Sequence, residues 1–403
     1  MTTLRYDAVV VGAGPAGSTT AALLAEAGVR VALLDRAVFP RPKACAEYLS
    51  PEAARVLDRL GVLDAVHAAG AATLSGMRVV SVDGSGFTGR FRGARPFRGY
   101  RDFGLALPRA VLDHLLVEAA TRRGAHLFER TAVLGLHECA VGRRTITVRT
   151  GRTESTVSAR VVIGADGLHS RIARALGVVR WGRRKRVALV THARDVPGMS
   201  DVGEMHVGRE GYVGLAPIGR GLTNVAVVVD RHRLRPSGRS LSQFETLLSR
   251  FPIVADRVRQ ATLTEEVLAA GPFARLTVRA TADHVALVGD AADFYDPFTG
   301  EGIYAALRGG ELLAEVLISA LERDALSAAG LASYDAMRRK EFGRKWFLER
   351  VVAFAVAHPA VLNHLSRRLA VRQQLADLLV GATGDFVPAA EVLRPSFMWQ
   401  LVR

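Results

Sequence analysis

The chain has 403 residues, 49% of them hydrophobic and 23% charged, which excludes a disordered or fibrous protein and allows two or three units with sizeable cores. Its formal net charge is +15, and all but four of its 54 basic residues are arginines scattered along the sequence. With only 6% aromatics and no nucleic-acid-binding module, that charge does not describe a nucleic-acid binder; compositional bias, a phosphorylated cofactor or an acidic partner account for it. Cys45 and Cys139 alone make neither a disulfide framework nor a metal site. The longest apolar stretch, "VVAFAVAHPAVL" at 351–362, is too short for a transmembrane segment and carries His358 and Pro359. A strand pattern begins by residue 6, so no signal peptide is read and the cytoplasm is the expected compartment.

In chain order, "YDAVVVGAGPAGSTTAALLAEAGVRVALLDR" reads as strand, glycine turn, alanine-rich helix and second strand. "MRVVSVDGSGFTGRF" alternates on both sides of Asp83-Gly84 and predicts a hairpin. A helix over 108–124 is followed by strand-like "TITVRT" and "SARVVIGADG", and residues 176–270 are rich in strands. The parallel-sheet style returns at "HVALVGDAAD" and runs into a long helix, after which the last 70 or so residues are mostly amphipathic helix. The two styles interleave. The expected class is α/β: a discontinuous Rossmann-type domain (1–71, 101–175 and 276–325), an inserted β-rich domain (72–100 and 176–275) and a helical C-terminal region (326–403).

Two stretches match G-x-G-x-x-G. "GAGPAG" (Gly12, Ala13, Gly14, Pro15, Ala16, Gly17) follows a strand and opens a helix, with Asp35 ending the next strand 18 residues after Gly17. In that context Gly12 makes the tight turn, Gly14 admits a pyrophosphate and Gly17 lets helix and strand pack, while Asp35 takes a ribose hydroxyl. "GSGFTG" (Gly84 to Gly89) runs into sequence that cannot be a helix and is discarded as a hairpin turn. Two further signals are "VVIGADGLHSRIARALG", where Asp166 and Gly167 end a strand and Ser170 and Arg171 start a helix, and "VALVGDAADFYDPFTGEGIYAAL". In the latter Asp290 ends a strand, and Pro297, Gly300 and Gly302 lead into the long helix. A "GD" after a strand is as often a helix cap as a ligand, but the ordered trio is specific.

The trio closely resembles flavoprotein hydroxylases of the para-hydroxybenzoate hydroxylase fold over nearly the whole chain. The resemblance implies FAD, with Asp290 on the ribityl chain, Asp166 and Arg171 supporting the pyrophosphate region, Arg109 touching the cofactor, and backbone around Gly300, Gly302 and Ile303 over the isoalloxazine. A helix N-terminus there would favour the anionic reduced ring. "PKACAEYLSP" (from Pro42) resembles the "K-x-C-G-E-x-L-S-P" segment of the geranylgeranyl reductase family, which places Cys45, Ala46 and Glu47 beside the flavin. Arg36, Lys43 and Val133 complete the cofactor candidates. Two departures stand out. The glycine after the cysteine is Ala46, and the family's "Y-x-W-x-F-P" appears as "YVGLAP" (Tyr212 to Pro217), which predicts a wider, less aromatic wall at Gly214 and Ala216.

The expected function is that of an FAD-dependent oxidoreductase on a bulky apolar small molecule of polyketide or terpenoid type, leaning to geranylgeranyl reductase-like C=C reduction. Hydroxylation or epoxidation with NAD(P)H and O₂ is the alternative, and a non-redox cyclase with structural FAD is a third. Halogenation is disfavoured because the paired-tryptophan motif is absent and Trp181 stands alone. No second nucleotide motif exists, so NAD(P)H would visit transiently, with the basic residues Arg183 to Arg186 a potential aid. Alternation suggests that Glu204, His206, Tyr212 and Gly214 share a sheet face. Cys45, His206, Tyr212, Tyr295 and Tyr304 are the weak catalytic candidates, the histidine and tyrosines as proton donors. Residues 340–403 read as a helical cap, with peripheral membrane contact as the second reading; nothing specifies an oligomeric state.

Overall fold

The computed structural model describes residues 4–138, 142–182, 185–234, 240–264 and 266–402; Cys139, Arg183 and Arg184 lie outside them. Its first sheet is built around Leu4–Val11, whose apolar run is buried on both sides. Parallel neighbours are Thr153–Gly164 on one side and Val31–Leu34 on the other, extended by Val285–Leu287 and His126–Phe128. Such continuous Val/Ile/Leu runs are what a sheet covered on both faces requires. The helices Pro15–Glu26, Arg109–Arg122 and Gly302–Glu322 pack together against it. The chain is α/β, a Rossmann-type sheet joined to a strand-rich sheet and a helical C-terminal region.

The second sheet is mostly antiparallel. Its order runs from Thr262–Leu263 through Arg186–Arg194, Leu222–Asp230, Gly211–Gly219 and Val202–Gly208 to the hairpin Gly76–Val80 and Gly86–Arg90. The second G-x-G-x-x-G therefore lies in a hairpin, with Gly84 at φ +85° in its turn. Period-two alternation gives the sheet two distinct faces. Val187, Leu189, Val213, Leu215, Val225, Val227 and Val229 pack on the helices Leu241–Leu248 and Pro252–Arg259. Ala188, Val190, Met205, Val207, Tyr212, Ala226 and Val228 face the C-terminal helices instead. One of these, Gln373–Thr383, lies so close to the hairpin that a Cβ on Gly89 would be 2.4 Å from the Ala376 carbonyl.

The long helix Gly302–Glu322 is tied to the helix Ala53–Arg59 through a buried carboxylate. Glu311 accepts two hydrogen bonds from Arg55 (2.8 and 3.3 Å), one from Arg59 (3.1 Å) and one from Arg308 (3.0 Å). Burial alone would raise its pKa, but Arg55 and Arg308 outweigh burial and lower it. A depressed folded-state pKa means that this stabilisation is complete above the unfolded glutamate value and lost as pH falls through the folded one. Glu311→Gln is expected to cost about 1–3 kcal/mol near neutrality, less than for a fully buried pair because Arg55 and Arg59 are partly solvated. Urea unfolding of both forms should converge as the pH is lowered into the carboxylate range; a constant gap would refute the assignment.

Candidate active site

The three sequence signals meet in space. Gly12 sits at φ +101°, where a Cβ would fall 2.4 Å from the Ala165 carbonyl, and a Cβ on Gly17 would fall 1.8 Å from the Gly12 carbonyl. Gly289, at φ +62°, abuts Ala16, whose Cβ would be 2.8 Å from the one it lacks. These contacts draw the turn at 12–17, the strand end at 164–166 and the turn Gly289–Ala291 into one cluster. Gly14 is different. A Cβ there would meet nothing nearer than the guanidinium nitrogens of Arg109 and Arg41, each at 3.9 Å. Space bordered by cations at the start of the helix Pro15–Glu26 is what a pyrophosphate needs.

Around that space the charges are held in fixed positions. Asp35 accepts the N–H groups of Ala13 and Ala37, both at 2.9 Å, and so ties the glycine turn to the second strand; its neighbour Arg36 is exposed. Arg109 is buried and makes a bidentate pair with Asp113 at 2.7 and 2.8 Å. Burial works against its charge, but Asp113 and Cys45 raise its pKa above the ordinary arginine value. Arg41 bonds the same Asp113 at 3.1 Å. Lys43 is packed among protein atoms yet opens partly to the surface, with burial and Arg109 lowering its pKa while Asp290 and Asp113 oppose them. Its Nζ would stand 3.5 Å from a Cβ on Gly167. Arg41 and Asp113 were not singled out from the sequence, although Arg41 stands two residues before Lys43 and Asp113 one helical turn after Arg109.

Other candidates have mainly structural contacts. Asp166 accepts the N–H groups of Arg171 (2.7 Å) and Ile172 (3.4 Å) and, with Ser170, caps the short helix Arg171–Ala175; the Arg171 side chain is exposed. Val133 is buried in the first sheet opposite Val148. The carbonyl of Asp290 accepts from Arg275 at 2.8 Å.

The loop from Asp293 to Gly302 is anchored to the second sheet. Asp296 accepts the Tyr212 hydroxyl (2.6 Å), the Arg186 guanidinium (3.1 Å) and the Phe298 N–H (3.1 Å), the last capping the turn Pro297–Thr299. Gly300 is left-handed at φ +75° and presses on the buried Tyr48 ring, which a Cβ would approach to 2.9 Å. Next to it, burial pushes the Glu301 carboxyl up to about 7, with Lys345 opposing. Gly302 and Ile303 start the long helix, whose first amides have no partner within it. Tyr295, Asp296, Thr299, Glu301, Trp346 and Glu349 border a cavity of about 60 Å³, sufficient only for a few waters.

The register of the second sheet corrects the expected shared face, and the proton-donor candidates His206, Tyr212 and Tyr304 are all engaged elsewhere. Gly208 pairs with Gly211, so each residue of Val202–Gly208 faces a partner of opposite parity: Glu204 stands with Leu215 and His206 with Val213, on the face away from Tyr212 and Gly214. The four residues do not share a face. His206 bonds Glu204 at 2.7 Å and Glu204 in turn takes Arg257, a buried network under the helix Pro252–Arg259. Tyr212 is committed to Asp296, with burial and that carboxylate holding its pKa well above the usual tyrosine value. Tyr304 points to the helix Ala332–Ala357, donating to Glu341 at 3.3 Å. The wall at Gly214 is also less open than expected, because the Met205 sulfur lies 3.2 Å from where its Cβ would be.

The segment Lys43–Ser50 joins the two sheets. Glu47 is buried with φ +60°, a region that few non-glycine residues adopt. One carboxylate oxygen accepts the Arg109 N–H (2.8 Å); the other receives His192 Nε2 (2.8 Å) and Asn224 Nδ2 (3.0 Å). Asn224 also donates to the Cys45 carbonyl (2.9 Å), and the Glu47 N–H reaches the Cys45 sulfur at 3.3 Å. His192 and Asn224 are cross-strand partners on the same face as Val190 and Ala226. Burial lowers the His192 pKa, but the Glu47 bond and charge raise it further, for a net increase. Neither residue was picked from the sequence, where each stands alone in an apolar strand.

Glycines emptied for a phosphate, flanking cations and an ordered turn into the long helix define a nucleotide-cofactor enzyme of the flavoprotein class. A family model described as an FAD binding domain matches residues 5–346, and the chain belongs to that family as an FAD-dependent oxidoreductase. It is 31% identical to digeranylgeranylglycerophospholipid reductase 2 of Methanopyrus kandleri, over 91% of each chain. To menaquinone reductase of Mycobacterium tuberculosis it is 30% identical, covering 88% of this chain and 85% of the relative. A solved geranylgeranyl bacteriochlorophyll reductase-like protein from Thermoplasma acidophilum superposes with a TM-score of 0.80 at 21% identity, covering 100% of this chain and 99% of that one. The flavin-dependent brominase Bmp2 does so with 0.80 at 18%, covering 98% of each, and shares the fold.

Two predictions follow from contrasts within the site. Gly14→Ala should leave the melting temperature of the apoprotein unchanged while weakening FAD binding roughly ten-fold or more, since only the ligand needs that space. Gly17→Ala should instead cost about 2 kcal/mol or more of stability, because its Cβ meets backbone. Calorimetry and flavin fluorescence titration separate the two. Glu47→Ala removes the group that raises His192, leaving burial dominant, so the imidazole should titrate below the ordinary histidine value instead of above it. In the parent protein the His192 contribution to stability is full below that ordinary value and is lost as pH rises through the elevated one. An imidazole NMR titration that does not move in the variant would sink this coupling.

Proposed function

We propose that the protein reduces carbon–carbon double bonds in a bulky apolar molecule of terpenoid or polyketide type. The observation that carries this reading is the clamp at Glu47, which brings the "PKACAEYLSP" segment against the apolar sheet face at His192 and Asn224. The reductases named above, which match over most of the chain, support it. In this reading residues 1–71, 101–175 and 276–325 form the cofactor unit, residues 72–100 and 176–275 the substrate unit, and residues 326–403 the helical cover.

The residues present fit FAD. Gly12, Ala13, Gly14, Pro15, Ala16 and Gly17 with Arg41, Lys43 and Arg109 would receive the pyrophosphate, Asp35 the ribose, Asp290 the ribityl chain, and the backbone from Pro297 to Ile303 the isoalloxazine edge. Bound FAD supplies two-electron transfer between donor and substrate. In this reading NAD(P)H in the cytoplasm is the donor and visits transiently. The protein's own part is to exclude water with the apolar face and to deliver a proton. Among the described residues on that face His192 is suited to it: Glu47 holds Nε2 and favours the charged ring, leaving Nδ1 to give the proton.

Anaerobic turnover of the reduced enzyme with a polyprenyl quinone or digeranylgeranyl lipid tests the reading by mass spectrometry. A gain of two hydrogens per reduced double bond is expected. Incorporation of label from ¹⁸O₂ in aerobic turnover would transfer the assignment to a monooxygenase, and isomerisation without flavin oxidation to a cyclase. His192→Gln should lower turnover by on the order of 10²-fold and abolish the corresponding limb of the pH profile, with FAD binding retained.

A further inference from the structure

We propose that the outer side of the helix Ala332–Ala357 is a docking surface for a lipid bilayer containing anionic headgroups. Positions 340, 344, 347, 351, 354 and 358 recur at spacings of three, four and seven and so fall on one side of the helix. Lys340, Arg344, Phe347, Phe354 and His358 are exposed there, and the two phenylalanines each leave 56% of their surface to solvent. Large aromatic side chains two helical turns apart, with cations before them, are the composition of an interfacial helix.

The carboxylates of the same helix are turned the other way. Asp335 accepts the Ala280 N–H and the Thr281 hydroxyl, and Glu341 takes Tyr304 and Arg308. Glu349 lies near Glu301 and borders the internal cavity. The outward stripe therefore carries positive charge and apolar surface without an acidic residue. That charge pattern decides between occupants. A second copy seated isologously would present the same stripe, which offers no carboxylate to meet Lys340 and Arg344 wherever the two-fold axis falls. A bilayer bearing phosphate headgroups supplies both the anions and the apolar layer into which Phe347 and Phe354 insert. Beyond the break at His358–Pro359, Val361 at the start of the next helix is also exposed. No described helix is long and apolar enough to cross a membrane, so the contact would be peripheral.

The test uses the FAD-loaded full chain and vesicle flotation without substrate, so it stands apart from the reaction assigned above. The protein should float with phosphatidylcholine vesicles containing phosphatidylglycerol, and the bound fraction should fall as salt is raised. It should remain in solution with phosphatidylcholine alone. F347D/F354D and K340E/R344E should each reduce binding by on the order of ten-fold, with flavin absorbance and melting temperature unchanged. Binding that ignores headgroup charge, or that survives both double variants, overturns the proposal. So does a concentration-dependent dimer, seen by analytical ultracentrifugation, that F347D/F354D dissolves, since a second copy would then cover the face.

Discussion

The arrangement of the site depends on one buried carboxylate. Glu47 occupies a left-handed backbone conformation that costs a non-glycine residue free energy, of order 1–3 kcal/mol. It persists because donors from three separate elements converge on it: the Arg109 amide at a helix start, and His192 and Asn224 on adjacent strands. Removing any one donor leaves the others around a buried charge, which is more expensive than the bond itself is favourable. The same residue fixes Cys45 from both sides, through its own amide and through Asn224. Cys45 is thus a positioned residue, and its neighbour Lys43 interacts with Arg41, Arg109, Asp113 and Asp290, near Gly167.

Much of the fold was legible because its determinants are local. A β-branched run, a glycine turn, an alanine-rich helix and a second run can only be a parallel strand–helix–strand unit, and Gly12 and Gly17 show the close backbone approaches that their spacing implied. The hairpin at Asp83-Gly84 was readable for the same reason. The clamp was not legible. Glu47 and His192 are 145 residues apart, and Glu47 and Asn224 are 177 apart. The error over His206 has a simpler origin. Alternation tells which residues of one strand share a face, but the face shared with the next strand depends on the register across the turn. Pairing Gly208 with Gly211 reversed the expected parity.

The arginine excess is also easier to understand in three dimensions. Glu311, Asp113 and Glu204 each sit inside the protein and gather one or more guanidinium groups that stay partly in water. Arginine suits such posts because its planar fork satisfies both carboxylate oxygens while its stem packs against apolar neighbours.

The anchoring of Asp296 by Tyr212 and Arg186 bears on how such a protein diversifies. These two side chains belong to the second sheet, which is the substrate unit in the function proposed above, yet they hold the turn that leads into the long helix. Replacing either to suit a new substrate would also release the turn that the proposed function assigns to the cofactor, so selection for a different pocket is penalised at those positions. Ala188, Val190, Gly214, Ala216 and Ala226 have no such second duty. They are small or aliphatic and lie on the same face. Changes of substrate range in this lineage should therefore accumulate at those five sites, with Tyr212 and Arg186 held constant by a constraint that originates on the other side of the loop.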